Sequence, residues 1–163
     1  DVLVLGDTAA RQALVEAVVS DVRAARMQPR TVLHSFDWDL LALCQRIAPE
    51  MPASFLTQLP QNAADAGEDS SKAVNPVAGC TVLDLPDRVA AAGGRFWCPY
   101  YLDITPQSLA RARELGLVTV VWTVNEPQDI DRMITLGVDA ICSDYPGRVQ
   151  RQLLMHGLHW RSR

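Results

Sequence analysis

Five short apolar runs, each followed by a helical pattern, constrain this chain more than any other feature. They lie near residues 31–36, 53–59, 95–100, 117–124 and 138–146. "LVTVVWTV" (117–124) is apolar almost throughout, as expected of a strand covered on both faces rather than of one with a wet face. The segments between carry helical spacing and punctuation. In residues 8–25, Leu14, Val15, Val18, Val19 and Val22 recur on one face. After 31–36, Asp37 stands where a helix cap belongs, ahead of an apolar stripe of Leu40, Leu41, Cys44 and Ile47. Residues 84–94 read as a short helix stopped by glycine. In 104–116, Thr105 caps, Pro106 opens and Gly116 ends the helix. Asn125 or Glu126 opens the next helix at Pro127, Gly137 closes it, and 147–157 form a last amphipathic helix.

Strands alternating with helices predict an α/β fold with a parallel sheet and right-handed crossovers. Two architectures fit: an open doubly wound sheet, or part of a (β/α)8 barrel. No Gly-x-Gly-x-x-Gly follows any strand, which weakens a nucleotide-binding version of the first. A barrel takes roughly 250 residues for eight units. Five units in 163 residues match that pitch and predict an incomplete TIM barrel over 1–163. The start "DVLVLGD" lacks Met and a signal-peptide pattern, and reads as a cut inside a domain.

Charge and cysteines narrow the function classes. A formal net charge of -4 argues against a nucleic-acid surface, and no apolar run is long enough to cross a bilayer. Cys44, Cys80, Cys98 and Cys142 form no C-x-x-C pair and read as reduced thiols, which predicts a cytoplasmic protein. His34, His156 and His159 are too scattered to suggest a metal cluster.

In a parallel α/β fold the site lies at the carboxyl ends of the strands. That rule selects His34, Ser35, Phe36 and Asp37, then Thr57 and Gln58, then Trp97, Cys98, Tyr100 and Tyr101, then Trp122, Thr123 and Asn125, and finally Ser143, Asp144 and Tyr145. The polar stretch 60–80 leaves from the same end. Phe36, Trp97 and Trp122 are either core or the wall of a pocket; Trp122, at the open end of its strand, has the strongest claim to the wall. Asp37, Asn125 and Asp144 each either cap a helix or position a loop. Ser35 lacks the glycines of a nucleophile elbow, and neighbouring His34 points to the other side of the strand. Cys98 sits among aromatics that raise a thiol pKa. No catalytic acid, base or metal-ligand set is evident, and no Glu-x-Asp or Glu-x-Lys lies on a strand.

"VWTVNEPQDIDRMITLGVDAICSDYP" resembles the C-terminal signature of the glycerophosphodiester phosphodiesterase family. "VLHSFDWDLLALCQRIAPEMPASFLT" is similar to the family's Ser-Ser-Phe-Asp strand, with His34 replacing the first serine. "GGRFWCPYYLDITPQSLARARELGLVTVVWTVN" resembles its sixth unit and the link to the seventh, with Cys98 in place of a serine. The resemblance runs from about residue 8 to 155. It implies a (β/α)8 barrel of which this chain is strands four to eight. It also implies hydrolysis of a glycerophosphodiester to sn-glycerol 3-phosphate and an alcohol, with Ca²⁺ or Mg²⁺ as cofactor. The family's His-Arg-Gly, Glu-x-Asp and Glu-x-Lys have no counterparts here, so the cation is expected to be held outside this chain. "VLVL" (2–5) stands roughly where a third strand ends. The roles implied are Trp122, Phe36 and Trp97 against the substrate, with Ser35, Asn125 and Asp144 shaping the pocket or its loops. The chain alone is expected to be inactive and to need the missing N-terminal barrel half. Two rivals are a catalytically dead barrel used for binding or regulation, and an independent doubly wound ligand-binding domain.

Overall fold

The computed structural model describes residues 8–59, 77 and 79–159. The "VLVL" segment and all but the end of the 60–80 stretch lie outside them. In chain order the elements are α1 (Thr8–Ala24), β1 (Leu33–Ser35), α2 (Trp38–Ile47), β2 (Ala53–Thr57), α3 (Leu85–Ala91), β3 (Phe96–Pro99), α4 (Pro106–Glu114), β4 (Val118–Val121), α5 (Pro127–Leu136), β5 (Ala140–Ile141) and α6 (Pro146–Met155), with a 3₁₀ turn at Gln28–Arg30. The strands fall where the apolar runs predict but are shorter, β5 most of all, because several apolar positions belong to loops that pack on the sheet rather than to its ladder.

The five strands lie side by side in chain order, and every pair is parallel. The reversal that a doubly wound sheet needs is absent among the described strands. Crossovers of one hand that always step the same way put the helices on a single face.

Burial follows from that. Register places Ala53, Phe55, Trp97, Thr119 and Val121 on one face, and all are at most 3% exposed. Leu41, Leu85, Val89, Leu109, Ile130 and Met133 from the helices join them in the core. The opposite face carries Leu56, Phe96, Val118, Val120, Ala140 and Cys142, which are half-buried or exposed, although Ser54 and Cys98 are covered. An apolar sheet face left open is unusual, since buried parallel strands are normally covered on both sides.

Both edges of the sheet open beside apolar grooves. One of about 350 Å³ runs between β1 and α1 past Leu14, Val18, Val32 and Leu33. Another of about 580 Å³ runs between β5 and α6 past Ile141, Val149 and Leu153.

Helix ends explain the sharp turns. Thr105 and Ser108 form a reciprocal capping box at the start of α4, and the Asp37 side chain caps α2 by accepting from Leu40 N–H. Gly137 closes α5 at φ 83°, a left-handed conformation that costs a glycine little. Gly94, leading into β3, has no room for a side chain: a Cβ would lie 2.6 Å from Val89 Cγ1 and 2.8 Å from Phe55 Cδ2. Gly94→Ala is therefore expected to destabilise the fold by about 1–3 kcal/mol, read as a lower urea midpoint at unchanged slope. An unchanged midpoint would mean that the Gly94–Phe55 contact does not limit packing.

Candidate functional site

The open face gathers aromatic rings at the carboxyl ends of its strands. Phe36, just after β1, meets Trp122, just after β4, edge to face with centroids 5.4 Å apart. Two strands lie between β1 and β4. In a flat sheet their backbones would be about 14 Å apart, with side chains standing perpendicular. Rings that converge to 5.4 Å require the sheet to be concave toward them. Tyr100, just after neighbouring β3, stands 5.4 Å from Trp122 and pairs with it as an extra parallel bridge. Tyr101 adjoins Tyr100 at 4.9 Å, and the Arg132 guanidinium lies over the Tyr101 ring. The Trp122 indole N–H donates to Cys98 O at 2.8 Å, which fixes the ring's orientation.

Trp97 does not belong to this wall. It pairs with Thr119, three residues before Trp122, and so points the opposite way. Its ring is fully buried under the helices, where its N–H donates to Thr57 Oγ1 at 3.0 Å. The expectation that Trp97 contacts substrate fails on strand parity: a strand-end position does not by itself give a ring access to the mouth.

The polar residues act on loops. Ser35 Oγ accepts from Asp37 N–H at 3.0 Å, and the Asp37 carboxylate also pairs with Arg11 at 2.9 Å. Asn125 does not cap α5. Glu126 holds the cap position without a side-chain bond. Asn125 reaches sideways to the loop after β5 instead: its Nδ2 donates to Asp144 Oδ2 at 2.8 Å, and its Oδ1 accepts from Asp144 N–H at 3.0 Å and from Ser143 Oγ–H at 3.1 Å. Asp144 is not a cap either, because Tyr145 occupies that place before α6.

Two residues escaped sequence reasoning. Arg148, in the first turn of α6, donates to Asn125 O at 3.0 Å and lies 4.1 Å from the centre of the Tyr145 ring. Asp103, 4% exposed, accepts from Leu59 N–H at 2.7 Å and so holds the chain where it leaves β2. Neither shows in periodicity or motif, since each acts across a gap between neighbouring loops.

His34 Nδ1 lies 2.8 Å from Ser54 Oγ, one layer below the aromatic rings, and desolvation holds the imidazole below its ordinary pKa. Burial pushes the Cys98 thiol up to about 12, with neighbouring Cys142 adding to the rise. A divalent cation such as Ca²⁺ or Mg²⁺ wants clustered oxygen ligands, mostly carboxylates. Among the described residues no three His, Cys, Asp or Glu side chains gather, and the Asp144 carboxylate is already engaged by Asn125. The described donors do not fit such an ion.

Comparison with known proteins follows the same lines. The glycerophosphoryl diester phosphodiesterase family profile matches residues 7–148. A crystal structure from Silicibacter pomeroyi DSS-3, of a protein provisionally named a glycerophosphoryl diester phosphodiesterase, is 52% identical with a TM-score of 0.80. The match covers 95% of this chain and 48% of that one. A glycerophosphodiester phosphodiesterase from Parabacteroides distasonis is 23% identical with a TM-score of 0.71, over 93% of this chain and 55% of that one, a likeness of fold. The uncharacterized Bacillus subtilis protein YqiK is 27% identical over 143 residues, 87% of this chain and 51% of its own. The chain thus spans about half the length of these relatives. Its fold, α/β with parallel strands, is of the TIM-barrel type that they share.

A thiol with a pKa near 12 is thiolate in only about one molecule in ten thousand at pH 8. Cys98 is therefore expected to resist iodoacetamide at pH 8 while exposed Cys142 is alkylated, as read by peptide mass spectrometry. Rapid labelling of Cys98 would contradict the burial of its thiol.

Proposed function

The chain belongs to the glycerophosphoryl diester phosphodiesterase family, and from that premise we propose that it forms strands four to eight of a (β/α)8 barrel whose complete form hydrolyses glycerophosphodiesters to sn-glycerol 3-phosphate and an alcohol. The observation that carries this reading is the concave, uncovered apolar face of a sheet wound in one direction. Three further β/α units would cover that face and fill the grooves beside β1 and β5, closing the cylinder. The chain's match to about half of each relative's length supports a partial barrel.

Within the closed barrel, residues 1–163 supply one side of the site. Trp122 and Phe36 form an apolar wall against the substrate, with Tyr100 extending it. Ser35, Asn125 and Asp144 set the loops that carry the wall. Acid–base chemistry and the divalent cation, Ca²⁺ or Mg²⁺, belong to groups other than the described residues of this chain. Four free cysteines among the described residues suit a reducing compartment, and we place the protein in the cytoplasm. No helix among the described residues is long and apolar enough to cross a membrane.

The test uses the polypeptide that carries these residues together with the remaining barrel units. Given a glycerophosphodiester and Ca²⁺ or Mg²⁺, it should release sn-glycerol 3-phosphate. Trp122→Ala should raise KM about tenfold, equivalent to about 1.4 kcal/mol, as a ring contact is lost. The isolated chain should release none. Turnover by the isolated chain would overturn the division of labour, and no turnover by the complete polypeptide would favour a catalytically dead barrel used for binding.

A further inference from the structure

The loops after β4 and β5 are joined by a clamp that centres on Asn125. Every polar group of its side chain is engaged: Nδ2 with the Asp144 carboxylate, and Oδ1 with Asp144 N–H and Ser143 Oγ–H. Its backbone carbonyl takes the Arg148 guanidinium at 3.0 Å. That carbonyl immediately precedes the cap residue of α5, which has no side-chain cap of its own. The guanidinium is in turn held over the Tyr145 ring at 4.1 Å, with the Glu126 carboxylate at 3.7 Å. A planar cation of this kind can stack and donate at once, which a lysine cannot match.

This clamp matters because the ladder here is short. β5 has two residues, and beyond it two backbone hydrogen bonds among the described residues continue its pairing with β4: Cys142 N–H to Val121 O and Val124 N–H to Cys142 O. Trp122 lies three residues before Asn125. On its other side it is held by the Cys98 carbonyl and by Tyr101 N–H donating to Trp122 O. The backbone that aims the indole is thus fixed from two directions, and the second anchor ends on Arg148.

We propose that Arg148 is a positioning residue: without approaching the aromatic wall, it locks the loops after β4 and β5 into one block and so sets where Trp122 stands. The proposal rests on the reading of Trp122 as a substrate wall. Its first consequence, however, is structural and does not need turnover. Small misplacements of a binding group are known to cost far more than the contact that caused them.

The experiment compares Arg148→Met, Arg148→Lys and Glu126→Gln with the parent in the complete polypeptide. Hydrogen exchange is followed at the amides of Val124, Asp144 and Tyr145, together with KM and kcat. Arg148→Met is expected to speed exchange at those three amides at least tenfold, with distant core amides unchanged. KM should rise about three- to tenfold with kcat within about twofold. Arg148→Lys should recover part of both effects, and Glu126→Gln, which removes only an exposed ion pair at 3.7 Å, should change both less than Arg148→Met does. Unchanged exchange at the three amides in Arg148→Met overturns the clamp, whether or not the enzyme turns over. Faster exchange with unchanged KM overturns the positioning role. A parent polypeptide that binds no substrate defeats the proposed function instead, and the exchange data still decide the clamp.

Discussion

The structure depends on one constraint: five parallel strands pair in chain order, with each crossover stepping the same way. Right-handed crossovers of constant direction send all the helices to one side. The helix-side core then closes well, with Trp97, Phe55, Val121 and Met133 essentially out of solvent. Burial of each large side chain of this kind is worth roughly 1.5–3 kcal/mol, so this half of the sheet is well secured. The same winding rule leaves the other face without helices among the described residues. Its apolar side chains curve toward one another, as the contact of Phe36 with Trp122 across two intervening strands demonstrates. Fold and site are consequences of one geometry: curvature that starts a cylinder also brings strand ends together.

Much of this was legible in the residues. The apolar runs and the Thr105, Pro106, Gly116 and Gly137 punctuation mark where strands and helices lie, because caps and left-handed glycines are local physics. Strand parity was not legible. Trp97 and Trp122 look alike at strand ends, yet register sends one into the core and the other onto the open face. Register is fixed by packing across strands, which no single segment encodes. Asn125 and Asp144 mislead for a related reason. Each occupies a place where a cap is expected, but a better partner stands one loop away. Arg148 and Asp103 were missed because their partners, Asn125 O and Leu59 N–H, are backbone groups far along the chain.

The site is built as supported surface rather than as reactive groups. Trp122 is oriented by a carbonyl below it, a bridge to Tyr100 beside it and the Asn125 block above it. Cys98 and Ser54 on this face are buried, and burial keeps the Cys98 thiol protonated, while Cys142 on the same face is exposed. Family membership and half-length coverage then acquire a physical sense. A barrel of this type divides its labour among strand ends, so a rigid wall on some strands is compatible with chemistry carried by others.

A crystal structure of the complete polypeptide grown with sn-glycerol 3-phosphate tests this account most directly. The account predicts parallel strands seated on the free edges of β1 and β5, and the product packed against the Trp122 ring at the carboxyl end of the barrel. A sheet whose edges stay open, or a product bound at the opposite end and away from Trp122, would contradict it.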